Sequence, residues 1–289
     1  MRRWMLVPAV VIALVASVAA ADPSPARLVR DSHSVREPRT QRRAMRDADR
    51  GRAEGRRSRS VGFAWRGTLE LPARLRESDT IRYVTEYAPG AHFFGTWELV
   101  TLLERAAARV SQRVPGAKLS VGELSTATGG DIDGHHSHEN GRDADLSFYV
   151  LDGAGRPVAP GAFVAFNGDG TARRPNEGYR FDDVRNWELV ARLVADPDAR
   201  VQFIFVSSSL RRRLLETGTR RGASRAVLDR AAAVLLEPRV NPHNNHFHVR
   251  IFCPPADRPR CRDIAPFWSW YPGTPPYGPT TVAAANPAE

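Results

Sequence analysis

Two stretches of this chain alternate polar and apolar residues, the pattern of β-strands that carry chemistry on one face and core on the other. They run Asp143-Ala144-Asp145-Leu146-Ser147-Phe148-Tyr149-Val150 and His246-Phe247-His248-Val249-Arg250-Ile251-Phe252. Side chains at i and i+2 leave the same strand face, so His246 and His248 point together, as do Asp143 and Asp145. Burying such groups unpaired is costly, which restricts the chain to folds that give them a shared partner.

The remaining imidazoles sharpen that restriction. Six of the eight histidines fall in two clusters, Gly134-His135-His136-Ser137-His138-Glu139-Asn140-Gly141 and His243-Asn244-Asn245-His246-Phe247-His248. This pattern reads as a metal site: imidazole nitrogen is a preferred zinc ligand, and a catalytic zinc keeps three protein ligands and one open position. Copper, nickel and iron also accept His and Asp, but zinc suits a redox-silent hydrolytic site best. His138 lies seven residues before Asp145 across the turn former Asn140-Gly141, so a loop His and a strand Asp can converge beside His246 and His248. Spacing leaves two ligand sets open. One is His138, Asp145 and His248; the other is His138, His246 and His248, because two His at i and i+2 can share an ion. Asp143 shares the face of Asp145 and is a candidate to orient a ligand from behind. Glu139 is a candidate proton acceptor, although no H-E-x-x-H helix signature is present.

Other chemistries fit poorly. There is no G-x-S-x-G elbow and no Walker A loop, and Lys118 is the chain's only lysine. Cys253, five residues after His248, falls on the opposite strand face and makes no Cys/His nucleophilic pair.

At these residues the sequence resembles the penicillin-insensitive murein endopeptidases, zinc peptidases related to D-Ala-D-Ala peptidases, lysostaphin-type enzymes and the hedgehog amino-terminal domain. The resemblance rests on Ser137-His138 with Gly141, Asp143 and Asp145, and on His243-x-x-His246-x-His248-Val249-Arg250-Ile251 with Cys253-Pro254 behind it. It extends to Phe94-Gly95-Thr96-Trp97-Glu98-Leu99-Val100, to Gly129-Gly130, and to Ile204-Phe205-Val206-Ser207 with Leu210, covering roughly residues 80 to 262. The resemblance implies that His138, Asp145 and His248 hold zinc, that His246 is an unligated catalytic histidine and His243 a second, and that His135 also matches. His246 is then the expected base and His243 the expected hydrogen-bond donor to the oxyanion, with Asp143 and Arg250 supporting the site or meeting substrate. The implied reaction is hydrolysis of peptidoglycan stem-peptide cross-links, at the D-Ala to meso-diaminopimelate bond. A DD-carboxypeptidase or D,D-dipeptidase on the same scaffold is the alternative enzyme, and a non-catalytic zinc- or wall-binding module the alternative of another class.

The organisation agrees with export. Arg2 and Arg3, the apolar stretch from Met5 to Val18 and Ala19-Ala20-Ala21 read as a cleaved signal peptide over 1–21, too short for a membrane anchor. A periplasmic or secreted location follows, and there an oxidising environment favours a Cys253-Cys261 disulfide. Residues 22–60 hold twelve arginines and no aromatic residue and read as a disordered segment. The domain is expected over 61–271, with a loose Pro-rich tail over 272–289. Arg replaces Lys along the whole chain, so the net charge of +10 reflects composition and no nucleic-acid partner is expected; the oligomeric state stays open. Helical spacing over Trp97 to Val114, Val184 to Val194, Ser208 to Thr217 and Ser224 to Leu236 flanks strands near 119–124, 144–150, 202–206 and 246–252. The fold class is α+β, a small mainly antiparallel sheet with the zinc site on it.

Overall fold

A computed structural model describes residues 57–271; the expected signal peptide, the Arg-rich segment up to residue 56 and the Pro-rich tail lie outside the described residues. The first element is a hairpin of β1 (Arg59–Phe63) and β2 (Arg66–Glu70), so β1 opens ahead of the boundary expected at residue 61. There follow β3 (Ile81–Tyr83), α1 (Trp97–Arg113), β4 (Leu119–Val121), β5 (Asp143–Ser147), α2 (Asp183–Val194) and β6 (Val201–Phe205). The chain then runs through α3 (Ser208–Arg220), α4 (Arg225–Val234), β7 (Leu235–Leu236) and β8 (His246–Ile251).

Six of these strands make the central sheet, in the spatial order β7-β6-β8-β5-β4-β3. The pairs β6 with β8, β8 with β5 and β5 with β4 are antiparallel, whereas β7 and β3 add to the edges in parallel. The α+β arrangement is as expected. Alternation divides the sheet into two faces. Leu119, Val121, Ala144, Leu146, Phe247, Val249 and Ile251 are at most 1% exposed and pack with the helices in one core. Fully burying each larger apolar side chain there contributes roughly 1.5–3 kcal/mol. Asp143, Asp145, His246, His248 and Arg250 occupy the other face.

The helices begin where local chemistry lets them. Thr96 caps α1 by accepting from the Leu99 amide at 3.3 Å, Asp182 caps α2 through the Arg185 amide at 2.9 Å, and Ser224 caps α4 through Val227. Helix α1 buries Leu99, Val100, Leu102, Leu103, Ala106, Ala107 and Val110 and stops before Pro115.

Several boundaries differ from the sequence expectation: β4 stops at Val121 short of 124, and α3 runs on past Thr217 to Arg220. The last helix ends at Val234, because Leu235 and Leu236 pair with Ile204 and Phe205 at the sheet edge, where Leu235 is fully buried. The strand expected to reach 150 stops at Ser147, and Val150–Leu151 pairs instead with Arg180–Phe181 and Pro157–Val158. No described helix is long and apolar enough to cross a membrane.

A clasp fixes the segment after β8. Cys253 and Cys261 are disulfide-bonded, and Asp263 accepts from the Cys253 amide at 2.9 Å and from Arg142 at 2.8 Å. Arg142 is 1% exposed and also donates to the Ile251 carbonyl, tying the start of β5 to the end of β8.

Candidate metal centre

Register brings the two strand motifs together. Across β8 and β5, His248 is opposite Asp145, Arg250 opposite Asp143 and His246 opposite Ser147. The loop before β5 returns over this face, with Gly141 at a φ of +74° where a Cβ would lie 2.8 Å from Leu69. His138 also adopts a φ of +74°, a left-handed conformation that costs a non-glycine residue roughly 1–3 kcal/mol. That bend places its ring against the sheet, 3.4 Å from Asp145 through Nε2.

Hydrogen bonds fix which nitrogen of each ring faces inward. A carbonyl only accepts, so His138 donates from Nδ1 to Leu124 O at 2.5 Å and turns the Nε2 lone pair toward Asp145. His248 donates from Nε2 to Asp143 Oδ1 at 3.1 Å, leaving Nδ1 at 3.1 Å from Asp145 Oδ1. His246 donates from Nδ1 to Asn245 Oδ1 at 2.8 Å and points Nε2 at Asp145 Oδ1 from 3.4 Å. Three imidazole lone pairs therefore converge on one carboxylate oxygen.

Such an arrangement fits a cation. His138 Nε2 and Asp145 Oδ1 are both buried without a hydrogen-bond partner, which is costly unless something else satisfies them. The ligand-type atoms of His135, His138 and Asp145 lie within 4.8 Å of one another, so these residues could hold a metal ion. Burial opposes the charge on Asp145, and protonation of the neighbouring His138 and His246 rings would outweigh it and hold its pKa well below the usual carboxylate range.

Behind these side chains stands Asp143. It is fully buried and accepts from His248, from the His138 amide at 3.3 Å and from Arg250 Nε at 2.5 Å. Arg250 is 1% exposed, with its guanidinium 4.8 Å from the centre of the Phe203 ring, so it supports Asp143 from behind the site. Burial would raise the pKa of Asp143, and Arg250 followed by His248 drives it strongly down instead.

A cavity of about 440 Å³ opens onto the centre, lined among others by His135, Asp145, His243, His246, His248 and Phe163. Phe163 stacks on His246 with ring centroids 4.6 Å apart. His243 sits at a φ of +44° with Nδ1 2.8 Å from the Asn241 carbonyl. Glu139, the alternative proton acceptor, turns its Oε2 to the β2 hairpin, where it accepts from the Gly67 amide at 3.0 Å.

Two residues of the site have no counterpart in the sequence reading. Glu123 lines the cavity and bridges His135 Nε2 at 2.8 Å and His92 Nδ1 at 2.7 Å. Burial alone would raise its pKa, but hydrogen bonds from His135 and His92 bring it down to about 2. Burial likewise opposes charge on His135, and the Glu123 hydrogen bond with the Asp145 and Glu123 charges raises its pKa. The backbone carries the placement, since Gly122 N donates to Asp145 O and Asp145 N to Glu123 O, both at 2.8 Å. A lone Glu after a strand leaves no local signature from which this could be read.

Comparison with known proteins gives a consistent picture. The model of a family described as penicillin-insensitive murein endopeptidase matches residues 60–269. A penicillin-insensitive murein endopeptidase of Haemophilus influenzae is 28% identical over 210 residues, covering 66% of this chain and 65% of that protein. Another, of Salmonella heidelberg, is 29% identical over 179 residues, covering 59% of this chain and 58% of that protein. The chain thus spans less than two thirds of the length of either relative.

Proposed function

Because the chain belongs to the penicillin-insensitive murein endopeptidase family, whose model covers most of its length, we propose that it is an exported zinc endopeptidase acting on peptide cross-links of peptidoglycan. The observation that carries this reading is the convergence of His138 Nε2 and His248 Nδ1 on Asp145 Oδ1 at the floor of an open cavity. Two neutral imidazoles and a carboxylate are a donor set for zinc, and we assign His138, Asp145 and His248 as its ligands. When bound, zinc supplies Lewis-acid polarisation of the scissile carbonyl and acidifies the attacking water.

The chain's own residues do the rest. His246, with Nδ1–H engaged by Asn245, offers its Nε2 lone pair in the cavity and is our candidate for removing the water's proton. Phe163 holds that ring flat. Asp143 keeps the His248 tautomer in which Nδ1 faces the site, and Leu124 O does the same for His138. For His243 we propose a substrate contact different from the oxyanion donation expected from sequence. Its Nδ1–H is committed to Asn241 O and burial lowers its pKa to about 4, which leaves Nε2 as an acceptor. We assign it to receiving a hydrogen bond from a substrate N–H.

Digestion of purified sacculi, with muropeptides identified by mass spectrometry, tests the proposal. Conversion of cross-linked dimers to monomers, with cleavage at D-Ala to meso-diaminopimelate, is the expected result. Loss of a terminal D-Ala alone would show a carboxypeptidase instead, and metal-loaded protein that binds sacculi without releasing fragments would show a binding module.

A further inference from the structure

A second, smaller cavity of about 180 Å³ lies on the same face of the sheet as the metal centre. Arg82 and Ser120, register partners across β3 and β4, line it together with Ser147 at the end of β5. Ser147 follows Asp145 by two residues, so it shares that strand face about 7 Å further along. It also stands opposite His246. The two cavities are therefore neighbours along one strand.

The chemistry of this space is cationic. Arg185 is paired with Asp182 at 2.6 Å, but the other two cations are not spent in that way. Arg82 donates to Ser120 Oγ at 2.7 Å and to the Pro160 carbonyl at 3.4 Å, and Lys118 donates to the Ser78 carbonyl at 3.3 Å. Among the described residues their hydrogen bonds go to neutral acceptors alone. Tyr149 also lines the cavity beneath the Arg185 guanidinium, which lies 4.9 Å from its ring centre, and its buried hydroxyl has no hydrogen-bond partner. Glu77 acts on Arg82 through its charge, with no hydrogen bond between them among the described residues, so a guanidinium, the chain's one lysine and an unused phenol leave donors open toward this cavity.

We infer that this cavity is a carboxylate-binding subsite, in which Arg82 and Lys118 take a free carboxylate of the peptide substrate a few bonds from the scissile amide. The inference rests on the proposed murein reading and deepens it: a cross-link to diaminopimelate carries free carboxylates, whereas its amides and the glycan offer no such charge. Anchoring one of them beside His246 would fix the position of the peptide along β5. The charged hydrogen bonds involved correspond to about ten- to a hundredfold in affinity.

Calorimetric titration of the purified full-length protein with a soluble stem tetrapeptide tests this without turnover. Each free carboxylate of the peptide is converted to the carboxamide in turn. Amidation of one carboxylate is expected to weaken binding to the wild type by about ten- to a hundredfold. Arg82→Gln should bind the free and amidated forms alike, Arg82→Lys should keep part of the preference, and the solvent-facing Lys118→Gln should reduce it without affecting the fold. Equal binding of all forms by the wild type, absence of any binding, or Gln variants that keep the full preference would each overturn the subsite. The murein reading is judged separately. Sacculus cleavage without carboxylate preference removes only the subsite, and Arg82-dependent binding without cleavage removes only the hydrolase.

Discussion

His248 is held at both edges by carboxylates, with Nε2 3.1 Å from Asp143 Oδ1 and Nδ1 3.1 Å from Asp145 Oδ1. The first contact uses up the ring's proton, so the second is a lone pair against an anion, a contact that a cation converts from repulsive to attractive. His246 meets the same oxygen of Asp145 at 3.4 Å without a carboxylate behind it. On the proposed assignment, that asymmetry sets His248 as ligand against His246 as base.

Replacing His246 with Ala is therefore expected to leave near-stoichiometric zinc while turnover falls by ~10² to 10⁴. His248→Ala should lose metal and turnover together. Elemental analysis of these variants and Asp145→Ala decides the matter: a zinc-free His246→Ala beside a zinc-replete Asp145→Ala would make His246 the ligand.

Asp143→Ala should act on stability and metal separately. It leaves Arg250 buried without its carboxylate, which costs roughly 3–5 kcal/mol, and frees the His248 ring, which lowers metal affinity by about 10–100-fold. Adding Arg250→Met should recover stability in urea denaturation but not affinity in competitive chelator titration. Recovery of both would show that Asp143 acts only through Arg250.

Glu123→Gln removes the carboxylate that raises the pKa of His135 while leaving its burial in place. The His135 pKa should then fall below its ordinary value. Histidine NMR titration of chelator-treated protein reads this directly, and an unchanged value would contradict the bridge.

Gly122 keeps open the space that Phe163 fills: a Cβ there would lie 2.4 Å from Phe163 Cζ. Gly122→Ala should displace Phe163 from its stack on His246 and reduce kcat by up to ~10²-fold with zinc retained. Equal kcat in the two proteins would show that the stack does not position the base.

Removing the Cys253–Cys261 bridge with a double Ser variant should lower stability by ~2 to 3 kcal/mol on the chain-entropy account, measured by thermal unfolding. Metal content should stay the same, since Asp263 still ties Arg142 and the Cys253 amide.

Local pattern made the site strands and α1 readable. Alternation over Asp143 to Ser147 and His246 to Ile251 is required wherever one sheet face is core, and Leu99 to Val110 follow the helical period because they bury one stripe. The edge strands were not readable. Ile81–Tyr83 is too short to show a period, and Leu235–Leu236 continues the apolar spacing of the helix before it. Glu123 and His92 meet only because β4 lies beside β5 and the loop ahead of α1 packs over it, a relation between distant segments that no window of sequence contains. His135 and His138 were visible as a cluster, but their inward-facing nitrogens depend on Glu123 and Leu124 O across the fold.

The β5–β8 register also bears on timing. His248 follows Asp143 by 105 residues, so a growing chain carries His138 and Asp145 long before it has a strand to set opposite them. Pairings of such sequence separation close late, after the intervening helices have something to pack against. On the proposed assignment, any chain ended short of β8 lacks the third ligand, the base and the clasp at once. An enzyme of the proposed kind would stay inert throughout its own synthesis and gain its edge with nearly the last residues of the domain.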